Sequence, residues 1–253
     1  MTEGTTPRIR KIDADRCASR TYTIRAMNLL AIETATESCS AALLVDGRLL
    51  ARSELAPRRH AELLLTMCGQ LLDEAGLSRR DLDAIAVGRG PGAFTGVRLA
   101  ISAAQGIALA LDIPVVPISS LAALALQAPN DGADVLAVID ARMGEIYAGA
   151  FRHADGRLDT LSDETVGAAA ALRVPAARAW NVIGTGWASY RDAIAANLPS
   201  PPSWADGDRY PQAADVARLA APIAAAGGGV SPEQALPVYL RDKVALTIVE
   251  QRR

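Results

Sequence analysis

Aromatic side chains are scarce in this sequence, at 4% of 253 residues, although half of the residues are hydrophobic. The apolar mass is Ala, Leu and Val, an ordinary globular composition far from a disordered profile. Cysteines number three (Cys17, Cys39, Cys68), an odd count with no CxxC, which excludes a disulfide framework and a structural zinc site. Cys39 and Cys68 read as small core hydrophobes. The two histidines, His60 and His153, have no His or Cys at a ligand spacing, and HExxH is absent, so no metal site is expected. A Walker A loop and a GxSxG elbow are also missing. An excess of basic charge is lacking: 26 Lys and Arg face 28 Asp and Glu, for a net charge of −2. Residues 1–26 carry six basic and three acidic residues, leaving 20 and 25 on the remainder, whose sign argues against a stand-alone nucleic-acid binder. No apolar run approaches the ~18 residues of a membrane span. The basic N-terminus contains no apolar segment of a secretory signal. A soluble cytoplasmic protein is expected, with 1–26 an N-terminal extension outside the fold and Met27 a candidate native start.

What is present is a pattern that occurs twice. Asn28–Ile32 is an apolar run ending in Glu33. Ser40–Val45 and Leu49–Leu55 flank Asp46-Gly47-Arg48, a strong hairpin signal because Gly accepts positive φ. Arg59–Ala75 reads as a helix with Leu64, Met67, Leu71 and Ala75 at spacings of three and four. Ala84–Val87 is a buried-type strand entering Gly88-Arg89-Gly90-Pro91-Gly92-Ala93-Phe94-Thr95-Gly96, and a long helix follows to Leu111. Pro114–Ile118 reads as a strand and Leu121–Gln127 as a helix. After Pro129-Asn130-Asp131-Gly132 the order restarts: Val135–Ile139 ends in Asp140, and Ile146–Arg152 and Leu158–Leu161 flank a turn in which Asp155-Gly156-Arg157-Leu158 repeats Asp46-Gly47-Arg48-Leu49. Glu164–Leu172 reads as helical, and Trp180–Ile183 enters Gly184-Thr185-Gly186, echoing Gly88-Arg89-Gly90. Pro199–Trp204 is a loop, Ala213–Ala226 a helix stopped by three glycines, and Pro237–Leu240 an extended tail. The reading is an α/β protein of two related lobes, 27–128 and 129–253, the second degenerate. A duplicated lobe of three strands and a helix resembles the actin/hexokinase/Hsp70 (ASKHA) superfamily, whose members bind ATP between the lobes.

The glycine-rich loop suits a type II turn over Gly90-Pro91-Gly92, with Thr95 capping the next helix. It reads either as a structural or interface loop or as a degenerate nucleotide-facing one, with Gly90, Gly92, Gly184 and Gly186 as the backbone positions and Glu33 and Asp140 as the acids. A GxGxxA match at Gly88, Gly90 and Ala93 lacks the ribose-binding acid, since the next strand ends Pro117-Ile118-Ser119. Beside Glu33 and Asp140 stand Thr34-Ala35-Thr36 and Ala141-Arg142, without the Gly that brings backbone to a phosphate. Catalysis there is not expected. The alternative is an ATP-dependent phosphotransferase or ATPase using those acids. From Val97 to Leu111 the polar side chains Arg98, Ser102 and Gln105 make one narrow stripe. A helix so apolar must be covered on more than one side, by its own core or by a partner protein.

Leu29–Thr36, Gly88–Arg98, Ile139–Tyr147, Gly184–Trp187 and Pro237–Arg241 together resemble the TsaB (YeaZ) family, over roughly Met27 to Leu246. Many members begin the first motif with Asp where this chain has Glu33. The resemblance implies a two-lobed ASKHA fold without catalysis of its own. The family works in tRNA threonylcarbamoyladenosine (t6A37) formation, as partner of a TsaD-type transferase and a TsaE-type ATPase, with tRNA met through the complex; homodimer or monomer in the partner's absence stays open. It further implies pairing through the first two long helices, which here assigns His60, Leu64, Met67, Leu71, Val97, Ile101, Ala104 and Ala108 to the interface. The relative's metal-binding HxxxH is absent, because His60 is followed by Leu64. No cofactor is required; weak ATP or ADP binding at a lobe or subunit interface stays open.

Overall fold

The computed structural model describes residues 27–154 and 157–241. The N-terminal extension with Cys17, the Asp155-Gly156 half of the repeated turn, and the end of the family motif at Leu246 lie outside the described residues.

The first sheet contains β1 (Leu29–Glu33), β2 (Ser38–Val45), β3 (Arg48–Leu55), β4 (Ala84–Gly88) and β5 (Val115–Ile118), in the order β3-β2-β1-β4-β5. Its hairpin turns where expected, with Asp46 and Gly47 both at positive φ, 50° and 75°. That geometry matches the strand twist of a two-residue loop. Strand β1 is apolar from Leu29 to Ile32 because both of its faces are covered. Leu30 and Ile32 point to α1 (His60–Ala75) and α2 (Phe94–Leu111), while Leu29 and Ala31 point to the other layer. Helix α1 ends at Gly76 in the left-handed region (φ 68°), where Leu77 N–H closes on Leu72 O at 2.9 Å.

The second sheet repeats the arrangement. Strands β6 (Asp134–Arg142), β7 (Glu145–Ala154), β8 (Arg157–Thr160), β10 (Trp180–Ile183) and β11 (Trp204–Asp206) run in the order β11-β10-β6-β7-β8, with β9 (Thr165–Ala168) on β7. Read from the hairpin side, both sheets have two antiparallel pairings followed by two parallel ones. The duplication inferred from order alone is therefore present in the strand topology.

One local expectation is corrected and one helix is added. Glu164–Leu172 is not helical: it forms β9 and a single 3₁₀ turn at Ala169–Ala171. Strand β8 pairs only with Phe151–Ala154, so the β7 edge at Glu145–Ala148 is left for β-branched Thr165 and Val166 to fill. The second lobe thus has a strand where the first has α1. Helix α4 (Thr185–Ala195) went unread; its inward side is little more than Trp187, Tyr190 and Ile194, too sparse a stripe to stand out. Helix α2, broken only by Arg98, Ser102 and Gln105, is long and apolar enough by length and composition to cross a membrane, although no continuous apolar run announces it. Its inner face (Val97, Ala100, Ile101, Ala104, Ala108) belongs to the first core.

Two helices tie the lobes together. Helix α3 (Ser120–Ala125) follows the first sheet yet places Leu121 and Leu124 in the core beneath β6 and β7. Helix α5 (Ala213–Ala225) follows the second sheet yet packs Ala213, Val216, Ala217 and Ala220 against the first. Packing therefore crosses the 128/129 boundary in both directions, and the chain's two passages between sheets run side by side.

Candidate functional site

The glycine-rich loop lies against the turn that follows β1. Ala93 N–H donates to Ala35 O at 2.7 Å, and Thr34 Oγ1 donates to Gly96 O at 2.7 Å. A methyl group on Gly92 would meet Ala35 Cβ at 2.7 Å, and one on Gly96 would strike Thr34 O. One on Gly88 would strike the Glu33 carboxyl, with Cδ at 2.6 Å. These glycines let two backbone segments of the chain touch. The second lobe does the same: a methyl group on Gly184 would strike Val138 O and Leu124, and one on Gly186 would sit 3.0 Å from Val138 Cβ. The expected type II turn is absent. The Gly90–Pro91 peptide is cis and positive φ falls on Gly90 (86°), not on Gly92. Thr95 is not the cap either: Ala93 holds that position, no side chain caps the helix, and Thr95 sits exposed in its first turn.

Glu33 and Asp140 do not form a pair. Glu33 is 0% exposed at the end of β1, its carboxylate accepting from Ser120 Oγ at 2.7 Å and from Ala35 N–H at 2.6 Å. In the parallel register Ile32 faces Val87 and Ala137 faces Ile183, so superposing Gly88 on Gly184 puts Glu33 opposite Val138, two residues short of Asp140. Asp140 instead borders a cleft of about 250 Å³ between the lobes, with Glu37, Phe94, Arg142, Tyr147 and Tyr239. Its Oδ1 accepts from Arg142 N–H (2.8 Å) and Tyr190 Oη (3.2 Å). Its Oδ2 accepts from the Arg142 guanidinium (3.2 Å) and Ser189 Oγ (3.3 Å). Arg142, at φ 67°, reaches on to Glu37 at 2.5 Å. Both acids are thus bound by their own chain. Among the described residues, no three His, Cys, Asp or Glu gather at one point.

Burial raises the Glu33 pKa above its ordinary 4.5, against the opposing pull of Ser120, Ala35 and Thr34. The native state then binds more protons than the unfolded chain above pH 4.5, so this group lowers stability as pH rises from there through the folded pKa. Glu33→Gln keeps one oxygen to accept from Ala35 N–H, presents its amide N–H to Ser120 Oγ as donor, and abolishes that slope. Urea unfolding at pH 5 and pH 7 should show the wild type losing more stability than the variant over this interval; parallel behaviour contradicts the assignment. Burial likewise pushes the Cys39 and Cys68 thiols to about 11 and about 12, as suits small core residues rather than nucleophiles.

Of the eight residues assigned to an interface, Leu64, Met67, Leu71, Val97, Ile101, Ala104 and Ala108 are buried in the chain's own core. His60 is half-buried, with Nε2 2.9 Å from Thr36 O. The outward faces of the same two helices carry other residues, led by Leu65 (61% exposed) and Leu109 (71%). The sequence assigns no role at the cleft to the residues that hold the C-terminal segment there. Arg98 Nε donates to Tyr239 Oη at 2.6 Å, with its guanidinium 3.6 Å above the Phe94 ring. Arg241 donates to Ala141 O at 3.1 Å and pairs with Glu145. Their signal is the Pro237–Arg241 stretch of the family resemblance, of which Pro237–Leu240 reads as an extended tail.

Comparison with known proteins agrees with this architecture. Residues 52–237 match the TsaD family, tRNA N6-adenosine threonylcarbamoyltransferase. The TsaB tRNA threonylcarbamoyladenosine biosynthesis protein of Escherichia coli (strain K12) is 39% identical over 229 residues, 87% of this chain and 96% of the relative. Its Haemophilus influenzae counterpart is 36% identical over 230 residues, 86% and 95% of the two chains. The solved structure of YeaZ from Pseudomonas aeruginosa superposes with a TM-score of 0.79 at 46% identity, covering 85% of this chain and all of that one. With two sheets of one topology, exchanged helices and relatives matching along nearly their whole length, the chain belongs to the TsaB (YeaZ) family of tRNA threonylcarbamoyladenosine biosynthesis proteins.

Proposed function

We propose that this chain acts in tRNA threonylcarbamoyladenosine formation as a non-catalytic subunit that binds and activates a TsaD-type transferase in the cytoplasm. The observation that carries the reading is the self-satisfied cleft. Asp140 has both oxygens bound by Arg142, Tyr190 and Ser189, and Glu33 is sealed beneath Gly88 and Ser120. A phosphotransferase of this superfamily needs its strand-end acids free and its loop amides facing the ligand, whereas here the loop glycines meet Thr34 and Ala35. The outward faces of α1 and α2 supply the docking surface, with Leu65 and Leu109 as exposed apolar anchors. In the absence of the transferase the same face joins two copies of the chain. A TsaE-type ATPase completes the assembly, and tRNA is met through it. The test is complex formation: mixed with the TsaD-type transferase of the same organism, the two should elute as one 1:1 species on size exclusion with light scattering. Separate elution contradicts the reading.

A further inference from the structure

We propose that the two lobes are held shut by arginine–glutamate latches and a C-terminal strap, which take the bridging place that a nucleotide has in the actin-like superfamily. Closure is then a property of this chain and not of a ligand.

Three ion pairs cross from one lobe to the other. Arg142 at the end of β6 holds Glu37 in the turn after β1 at 2.5 Å. Arg89, just past β4, lies 3.5 Å from Glu164 before β9, and Ser119 Oγ donates to the same carboxylate. Arg241 grips Glu145 and the Ala141 carbonyl of the second lobe from a segment rooted in the first. That root is firm. Ala235 is wholly buried in the first core, Gln105 donates to its carbonyl at 3.1 Å, and Val238 N–H donates to Arg89 O at 2.9 Å. Tyr239 is fixed by Arg98, whose guanidinium lies over both the Tyr239 and Phe94 rings. Residues 235–241 therefore run as a strap over the cleft, anchored on the first lobe and hooked on the second.

Each pair alone contributes little, since ion pairs open to solvent are weakened by water and salt. They act on one coordinate, however: all three bridge the same cleft, so all three must part for it to open. Because the latches are charged and partly exposed, closure weakens with salt.

The test is hydrogen–deuterium exchange on the full chain, read in residues 139–147 and 160–166 against the Ile85 amide as a core reference. For the wild type at low salt these segments are protected, and Mg-ATP at millimolar concentration leaves them unchanged. Arg241→Gln combined with Arg142→Gln raises their exchange by about tenfold while Ile85 is unaffected, the signature of local opening. Arg241→Lys with Arg142→Lys retains most of the protection. NaCl near 1 M, where the screening length falls to about 3 Å, has the same effect on the wild type as the Gln variant. Wild-type exchange that does not respond to salt overturns the proposal, whether or not the variants fold. So does protection that appears only when Mg-ATP is added.

Discussion

Leu65→Arg and Leu109→Arg should abolish association with the TsaD-type transferase while leaving the chain folded. Both side chains face outward from the first lobe, 61% and 71% exposed, on helices whose inner sides already fill their own core. A charge at either place costs the monomer almost nothing because it remains in water. In a complex it would be desolvated without a partner, and central apolar anchors of this kind carry about 2 kcal/mol or more, a loss near thirtyfold or greater in affinity. Ile101→Arg is the contrasting case. At 4% exposure it would drive a charge into the first core and unfold the chain, so loss of binding in that variant says nothing about an interface. Ile223→Arg is the surface control, since α5 lies on the opposite side of the first sheet. Titration calorimetry with melting curves on all four variants separates the outcomes. Unchanged affinity in Leu65→Arg and Leu109→Arg removes those faces from the interface.

Gly96→Ala and Gly106→Ala should shift stability in opposite directions although they lie ten residues apart on the same helix. Replacing a helical Gly by Ala normally stabilises by roughly 1 kcal/mol, and Gly106 has nothing near its new methyl group. At Gly96 the methyl would strike Thr34 O and displace the hydrogen bond that Thr34 Oγ1 gives to Gly96 O. Overpacking of this sort costs about 1–3 kcal/mol, and the lost hydrogen bond about 1 more. Set against the roughly 1 kcal/mol of helix propensity gained, the net expectation is about 1–3 kcal/mol of destabilisation, a fall of roughly 2–12 °C in melting temperature for a chain of this size. A Gly96→Ala variant as stable as wild type would mean that the loop does not pack on the β1 turn as described.

The duplicated plan could be read from the sequence because its signals are local. Asp46-Gly47 demands a hairpin, Gly88 and Gly184 mark the same strand-to-helix step, and β1 and β6 are apolar runs of the length a doubly covered strand needs. Other features depend on partners far along the chain. Thr165–Ala168 becomes a strand because β7 leaves an edge open, which nothing within 164–172 announces. The interface assignment fell on Leu64, Met67, Ile101 and Ala104 because the strongest periodic apolar positions mark the face turned to the chain's own sheet, while the outer face follows a weaker pattern. Glu33 and Asp140 both end apolar runs, but only strand register shows that they stand two steps apart in the repeat. The glycine-rich loop has three readings from sequence alone, as a structural or interface turn, a degenerate nucleotide-facing loop or a dinucleotide site; the contacts of Gly92 and Gly96 with Ala35 and Thr34 favour the first. Arg142 stands in the sequence as part of the Ile139–Tyr147 motif, where a phosphate-binding turn would need glycine. Its bonds to Asp140 and Glu37 emerge once the two lobes face each other.

The central claim, a supporting subunit without chemistry of its own, is tested most directly by reconstituting tRNA modification. The matching transferase, ATPase, threonylcarbamoyl donor and tRNA are assayed with this chain omitted, supplied as wild type, or supplied as Asp140→Asn. Asn keeps the shape of the side chain and removes the charge. The account predicts that modification requires the chain and proceeds at the same rate with either form. Modification that continues without the chain, or that is lost with a folded, transferase-binding Asp140→Asn variant, would contradict it.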